Sequence, residues 1–383
     1  MNLLFVCQSP VDIYAGGVQH ITYKLANACK AQGHVSFFLS VRKTSNEIPN
    51  QYYLPNPDNI LSFDNRIFFK HLLEELKINL IINQCGIDFK SSDLIFECAL
   101  YVPVITCFHN SLLDGVKNFY HLHKQTIGRF RIPRKMVDNG VSYRLIRKIY
   151  IYFHKKGYRK ICERSAKVIL LTEAMRHELK CFLGNFEPRN VEIIPNFVSI
   201  PNSVNYNKEK QIIYVGRIDR LYKQTDLAIR IWKEFSLKHS DYVFHIIGEG
   251  KDLNYVKQLS TKLGCENIVF EGKTNPTPFY KKASVLLFTS CSESFGIVLI
   301  EAMSHGVVPI AFDSYAAIRE IIDDNTNGFL IKPFEIPHFV SKMNELIEDD
   351  EKRVDMAQKA SIKSKSFSDN EVMKKWINTI MSI

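Results

Sequence analysis

Two cations and two carboxylates stand out by their spacing in the second half of the chain. Arg217 and Lys223 lie six residues apart in Tyr214-Val215-Gly216-Arg217-Ile218-Asp219-Arg220-Leu221-Tyr222-Lys223, which leaves an apolar run, turns at a glycine and precedes a helix starting near Thr225. Cations so placed at the carboxyl end of a strand can clamp a diphosphate and neutralise charge developing on a leaving group. Downstream, Ser290-Cys291-Ser292-Glu293-Ser294-Phe295-Gly296-Ile297-Val298-Leu299-Ile300-Glu301-Ala302-Met303 reads as a polar turn entering a helix. The first amides of that helix, around Phe295, Gly296 and Ile297, are free donors. Glu293, in the turn, can accept hydrogen bonds from sugar hydroxyls, and Glu301, two turns into the helix, can hold a ribose diol. The same spacing also fits a helix-terminal acid complementing the dipole and a surface acid, just as the cations also fit a solvated loop. Near the N-terminus, Ala15-Gly16-Gly17 opens an amphipathic helix, a place where backbone either approaches a phosphate or sugar closely or simply turns; the G-x-G-x-x-G spacing of a dinucleotide site is absent.

These residues need strands to end beside them and helices to begin. Short apolar runs alternate with helix-period segments throughout, the signature of βαβ units with parallel sheets. The first half reads as strands at Leu3–Cys7, Val35–Leu39, Leu80–Asn83, Val104–Phe108, Val168–Thr172 and Val191–Ile194. The second reads as strands at Gln211–Val215, Tyr242–Ile247, Ile268–Glu271, Val285–Phe288, Val308–Phe312 and Gly328–Ile331. Between the sets, Pro195 to Asn205 is rich in Pro, Asn and Ser, which disfavour helix and sheet alike. Two Rossmann-like domains are expected, residues 1–196 and 197–365, followed by a helix within 366–383 whose Val372, Met373, Trp376, Ile377 and Ile380 recur at helical spacing.

With 383 residues, 46% of them hydrophobic and 23% charged, the chain can bury two ordinary cores, which excludes a disordered or fibrous protein. No run of about 18 apolar residues is present and no basic residue precedes Leu3, so neither a membrane span nor a secretory signal is expected and the protein is read as soluble and cytoplasmic. Nine scattered cysteines, none in a C-x-x-C pair, suggest neither a disulfide framework nor a zinc site but small buried hydrophobes. The net charge of +10 is concentrated: residues 124–160 hold twelve Lys and Arg against Asp138 alone. Within this basic helical segment, taken as 117–165, residues 142–157 read as a helix with Leu145, Ile146, Ile149, Tyr150 and Phe153 along one side. Arg144, Arg147, Lys148 and Lys155 lie largely away from it. That pattern fits an ordinary core-packed helix and equally a helix lying on an anionic membrane, with Arg129, Arg131, Arg134, Lys135 and Lys156 extending the patch. Nucleic acid is not expected, because no reader module is recognisable.

Taken jointly, Gly216-Arg217 with Lys223, Gly248-Glu249-Gly250 after a strand, Glu293-x7-Glu301 followed by Ala302-Met303, and Gly306-x-x-Pro309 resemble the donor half of GT-B retaining glycosyltransferases of family 4. The resemblance covers nearly the whole chain: Gly16-Gly17 matches the first-loop glycine pair, Phe108-His109 the strand-end histidine, Pro195-Asn196 the interdomain strand end, and the last helix the crossover back to the N-terminal domain. It departs in two places, with Lys223-Gln224 where the family reads Lys-Gly and Pro195-Asn196-Phe197 where it reads Pro-Asn-Gly.

The resemblance implies an α/β GT-B fold with two Rossmann-like domains facing a central cleft. Arg217 and Lys223 would bind the donor diphosphate, and Glu301 the ribose. Glu293, Ser294 and the amides near Phe295, Gly296 and Ile297 would hold the transferred sugar, Gly248, Gly272 and Lys273 would line the nucleotide, and His109 and Gly17 would approach from the other domain. Catalysis is thus assigned to Glu293, His109, Arg217 and Lys223. No D-x-D motif is present to hold a divalent metal, and no cofactor is expected beyond the nucleotide sugar. The implied function is metal-independent transfer of a hexose, with retention, from a UDP-sugar to a saccharide acceptor, a lipid-linked intermediate of a bacterial surface polysaccharide, by a peripheral protein of the cytoplasmic membrane. A GT-B sugar phosphorylase, a nucleotide-sugar epimerase and a catalytically silent membrane-associated assembly partner are the alternatives.

Overall fold

The computed structural model describes residues 1–11, 17–43, 48–113, 116 and 140–383. They divide into two compact units, Met1–Asn196 with Met373–Ile383, and Phe197–Val372.

The first unit runs β1 (Asn2–Cys7), α1 (Val18–Ala31), β2 (Val35–Ser40), β3 (Gln51–Tyr53), α2 (Phe63–Glu75), β4 (Leu80–Asn83), α3 (Phe89–Cys98), β5 (Val104–Phe108), α4 (Gly140–Arg164), β6 (Lys167–Leu170), α5 (Glu173–Leu183) and β7 (Val191–Ile193). Its seven strands form one sheet in the order β3-β2-β1-β4-β5-β6-β7, every pair parallel. The strand at Gln51–Tyr53 was not expected: three half-buried residues at a sheet edge carry no apolar run to betray them.

The second unit runs β8 (Gln211–Val215), α6 (Thr225–Ser236), β9 (Val243–Ile247), α7 (Leu253–Lys262), β10 (Ile268–Gly272), α8 (Thr277–Lys282), β11 (Val285–Phe288), α9 (Ile297–Ser304), β12 (Val308–Phe312), α10 (Ile318–Ile321), β13 (Phe329–Ile331), α11 (Ile336–Glu348) and α12 (Asp350–Ser364). Its parallel order is β10-β9-β8-β11-β12-β13. A final helix, α13 (Asp369–Met381), begins here, and its residues from Met373 onward belong to the first unit. There Thr379 Oγ1 donates to Glu192 Oε2 at 2.6 Å.

In β4, β5, β11 and β12 every residue is buried. Successive side chains point to opposite faces, so both faces of each sheet are covered. The second core closes around Trp232, Phe235, Phe244, Phe312, Phe329 and Phe339. This is the expected α/β architecture of two Rossmann-like domains. In each sheet the chain reverses its direction of travel once, at β1/β4 and at β8/β11, and open sheets bind ligands outside the carboxyl ends of the strands at such points.

Candidate functional site

In the second unit the loop from Gly216 to Gln224 leaves β8 at that reversal and is held from beneath. The buried Tyr214 hydroxyl donates to the Arg217 carbonyl at 3.0 Å and pairs with Thr225 Oγ1 at 3.0 Å. Asp219, also buried, accepts from the amides of Leu221 at 2.7 Å and Tyr222 at 2.8 Å. Burial alone would raise its carboxyl pKa. The two amides, with Lys251 and Arg217 at 3.5 and 3.8 Å, bring it below the ordinary aspartate range instead. The sequence reading passed over Asp219, although an Asp two and three residues ahead of the amides it accepts from is an Asx-turn signal. Gln224 has φ 48° and ψ 45°, so the position where the resemblance leads one to expect glycine keeps the left-handed backbone without it.

A second loop, 289–296, follows β11 and is stitched to the first. Cys291 N–H donates to the Tyr222 carbonyl at 2.8 Å, and Thr289 Oγ1 donates to the Lys223 carbonyl at 2.8 Å. The two loops thereby bring Lys223 onto Glu293: the ammonium pairs with Glu293 Oε1, which also accepts from Ser290 Oγ at 2.9 Å. The Arg217 side chain, 60% exposed, lies at the same strand end. Gly296, at φ 100°, precedes α9, and Ser294 to Ile297 follow Glu293 into its first turn. Glu301 is the fifth residue of α9, little more than one turn in rather than two, because the helix starts only at Ile297. Its Oε2 accepts from the Tyr280 hydroxyl at 3.0 Å, and burial, then the carboxylate, raises that phenol well above its usual pKa. Tyr280 had no signal in the sequence; α8 delivers it.

Glycines bring a third loop in. Gly248 N–H donates to the Gly272 carbonyl at 2.8 Å and Gly216 N–H to the Ile247 carbonyl at 3.0 Å. A Cβ on Gly248 would sit 1.9 Å from the Gly216 carbonyl oxygen. Lys273, next along, is exposed.

The first unit carries its own cavity at the β1/β4 reversal, about 480 Å³, lined by Gln8, Ser9, Gln19, Gln84, His109 and Asn110 among others. His109 follows β5, and burial lowers its pKa to about 4, so the ring is neutral and its Nε2–H donates to Gln84 Oε1. The Gln84 amide nitrogen is buried with no partner among the described residues. The sequence reading missed Gln84, which only the β4–β5 pairing sets beside His109. Gly17 caps α1 at φ 71°, and among the described residues nothing lies within 4 Å of where its Cβ would be, while Gly16 lies outside the described residues.

So do Arg129, Arg131, Arg134 and Lys135. Of the remaining patch residues, Arg144, Lys148, Lys155 and Lys156 are exposed on α4. Arg147 instead turns inward and donates to Cys181 Sγ at 2.8 Å. The expected division of the helix also changes: Tyr150 is on the packed side, stacking on His154 at 4.0 Å, whereas Leu145, Ile149 and Phe153 face outward. The packed side is built from Tyr150, His154, Gly157, Tyr158 and Ile161, mostly rings and a glycine, and only one of the five is aliphatic. Among the described residues no helix is long and apolar enough to cross a membrane.

Two family models match successive parts of the chain, Glycosyltransferase Family 4 over residues 15–200 and Glycosyl transferases group 1 over residues 196–363. The chain is 30% identical over 236 residues, 60% of its length, to the poly(ribitol-phosphate) alpha-N-acetylglucosaminyltransferase of Staphylococcus aureus. To the lipopolysaccharide 1,6-galactosyltransferase of Salmonella typhimurium it is 28% identical over 174 residues, 43% of its length. It spans about half the length of these relatives, 47% and 48%. The fold is that of the Anabaena protein HepE in complex with UDP and glucose, at a TM-score of 0.73 and 16% identity over the whole of both chains. Two family models meeting at the Pro195-Asn196 joint, over two doubly wound sheets, leave one conclusion: the chain belongs to the family 4, group 1 glycosyltransferases of GT-B fold.

Proposed function

We propose that the protein transfers a hexose, with retention of configuration and without a metal ion, from a UDP-sugar to a saccharide acceptor of bacterial surface-polymer assembly. One observation carries the reading: Lys223 and Glu293 are paired at the reversal point of the second sheet, with Arg217 at the same strand end. Two cations there suit a diphosphate and can take up the charge that develops on its leaving oxygen, the part a divalent ion plays elsewhere. The carboxylates suit hydroxyls, Glu293 those of the sugar and Glu301 those of the ribose.

Glu293 is already committed to an ammonium and a serine, which suits a hydrogen-bond acceptor and counter-charge better than a nucleophile. Transfer on the face of the leaving group follows. The acceptor oxygen attacks the anomeric carbon as the carbon–oxygen bond to the diphosphate breaks, and a diphosphate oxygen takes the acceptor's proton. Positioning and electrostatic stabilisation supply the acceleration. In the first unit, neutral His109 and the Gln84 amide, which has no partner among the described residues, offer hydrogen bonds to neutral hydroxyls. Relatives named for poly(ribitol-phosphate) and lipopolysaccharide substrates, and HepE with UDP and glucose, support the acceptor and donor classes. A lipid-linked acceptor, used by a protein peripheral to the cytoplasmic membrane, completes the reading.

The test is thermal shift and calorimetry with UDP, GDP and ADP in EDTA, on wild type and on Arg217→Ala/Lys223→Ala. UDP alone should stabilise the wild type, by about 2.7 kcal/mol at a hundred times Kd, and not the double variant. NMR of the product from the matching UDP-sugar should then give the donor's anomeric configuration. Inversion, a requirement for Mg²⁺, or equal stabilisation of the double variant overturns the assignment.

A further inference from the structure

We propose that the outward face of α4 is a docking surface for an anionic lipid bilayer, which α4 meets lying in the plane of the headgroups. The proposal deepens the lipid-linked reading of the acceptor but stands on an observation of its own. The 25-residue helix carries apolar and aromatic residues on two sides, and the fold packs only one of them.

The used face runs through Tyr150, His154, Gly157, Tyr158 and Ile161, recurring every three or four residues. Tyr150 packs against Phe182 with ring centroids 6.0 Å apart, and Tyr158 against Phe89 at 5.1 Å. Gly157 lets that helix approach, since a Cβ there would lie 2.9 Å from the Phe89 ring. On the other side, Leu145, Ile149, Tyr152 and Phe153 are 59%, 49%, 65% and 73% exposed. Single exposed apolar residues need no explanation, but four within nine residues along one helix face form a patch.

Charge says what covers it. Arg144, Lys148, Lys155 and Lys156 are exposed beside the stripe, and the Lys155 ammonium lies 4.8 Å from the Tyr152 ring centroid. From Gly140 to Arg164 the helix has eight Lys and Arg against one acid, Glu163, and Arg159 already holds that acid at 2.8 Å. A second copy of the chain would set these cations against their like. A bilayer with anionic headgroups instead takes the cations at the phosphate level, the two aromatic rings at the interface and the aliphatic stripe just beneath. Leu145 to Lys156 spans about 17 Å at 1.5 Å per residue, too short to cross a hydrocarbon core of about 30 Å, which fits a helix lying flat.

The experiment is flotation and light-scattering titration of the full chain, without substrates, on phosphatidylcholine vesicles with and without 30% phosphatidylglycerol, the lipid fraction being a choice of the order of anionic content in cytoplasmic leaflets. Anionic vesicles should bind at least about tenfold more tightly than neutral ones, and salt should weaken the difference. Lys148→Ala/Lys155→Ala/Lys156→Ala should lose about a hundredfold, at about fivefold per cation. Leu145→Ser/Ile149→Ser/Phe153→Ser, which alters only exposed side chains and should keep the wild-type melting temperature, should lose at least as much. Binding that survives both variants overturns the proposal. So does a wild type that ignores vesicles and sediments as a dimer which the serine variant dissolves, for the stripe is then a protein interface. UDP binding reads the donor site without vesicles, so failure of one reading is distinguishable from failure of the other.

Discussion

Replacing Glu293 by Gln separates two roles of one carboxylate, the counter-charge of Lys223 that the structure shows and the sugar contact proposed above. The pair is 22% and 17% exposed, so it sits in a medium well above the dielectric constant of a dry interior. A diphosphate within reach of the Lys223 ammonium also lies near the carboxylate bonded to it. At about 5 Å and an effective dielectric constant of about 40, each unit of phosphate charge is repelled by about 1.7 kcal/mol. Glu293→Gln keeps the shape and an oxygen for Ser290, removes that repulsion and leaves the ammonium unopposed. Calorimetry in EDTA at 0.15 M salt should therefore find UDP bound about tenfold more tightly. Turnover of the UDP-sugar should fall by about a hundredfold, because an amide accepts hydrogen bonds from the sugar more weakly than a carboxylate and no longer offsets the cation. Folding stability should drop by only about 1 kcal/mol, the cost of loosening a partly solvated pair. A Glu293→Gln protein that bound UDP ten times more weakly would refute the reasoning, since the carboxylate would then belong to the nucleotide's own contacts.

Gln224→Gly should raise the melting temperature, because the left-handed backbone at φ 48° costs a side chain about 1–2 kcal/mol, more than glycine loses in entropy; a lower temperature would show that the side chain is held by more than its backbone. Gly248→Ala should cost more than about 3 kcal/mol in urea unfolding and abolish UDP binding, as the methyl would lie 1.9 Å from the Gly216 oxygen with no flexible side chain to yield. Tyr280→Phe frees Glu301 of its phenol and should change affinity for UDP several-fold while leaving inorganic pyrophosphate untouched; equal changes for both would disconnect Glu301 from the ribose. The His109 ring titrates near 4 when folded and near 6.5 when unfolded, so between those values the unfolded chain binds more protons and stability falls as pH is lowered. The loss should be about 2 kcal/mol by pH 4 for a ring still partly open to solvent, and urea titrations of His109→Asn should show a flatter slope across that window.

The sequence alone determined most of the strand framework, and for a plain reason. A strand buried on both faces is apolar at nearly every position, so the short apolar runs of β4, β5, β8, β11 and β12 could be read to the residue even though Asn83, Thr106 and Gln211 interrupt or begin them. The breaks were legible too, at Pro195-Asn196 and at the glycines that end β8 and β9. The charged residues of the two loops, Arg217, Lys223 and Glu293, and Glu301 in the helix that follows, could be singled out by type and spacing alone. What the sequence could not supply were relations across space. That Glu293 meets Lys223, seventy residues away, depends on β8 and β11 lying side by side although β9 and β10 intervene in the chain. Gln84 reaches His109 only through the β4–β5 pairing, and Tyr280 reaches Glu301 only through the placement of α8. The face of α4 was decided in the same way: periodicity marks apolar residues, but whether a neighbour covers them depends on which partners the fold brings up. Here Phe89 and Phe182 reach one side of the helix and leave Leu145, Ile149 and Phe153 to the solvent.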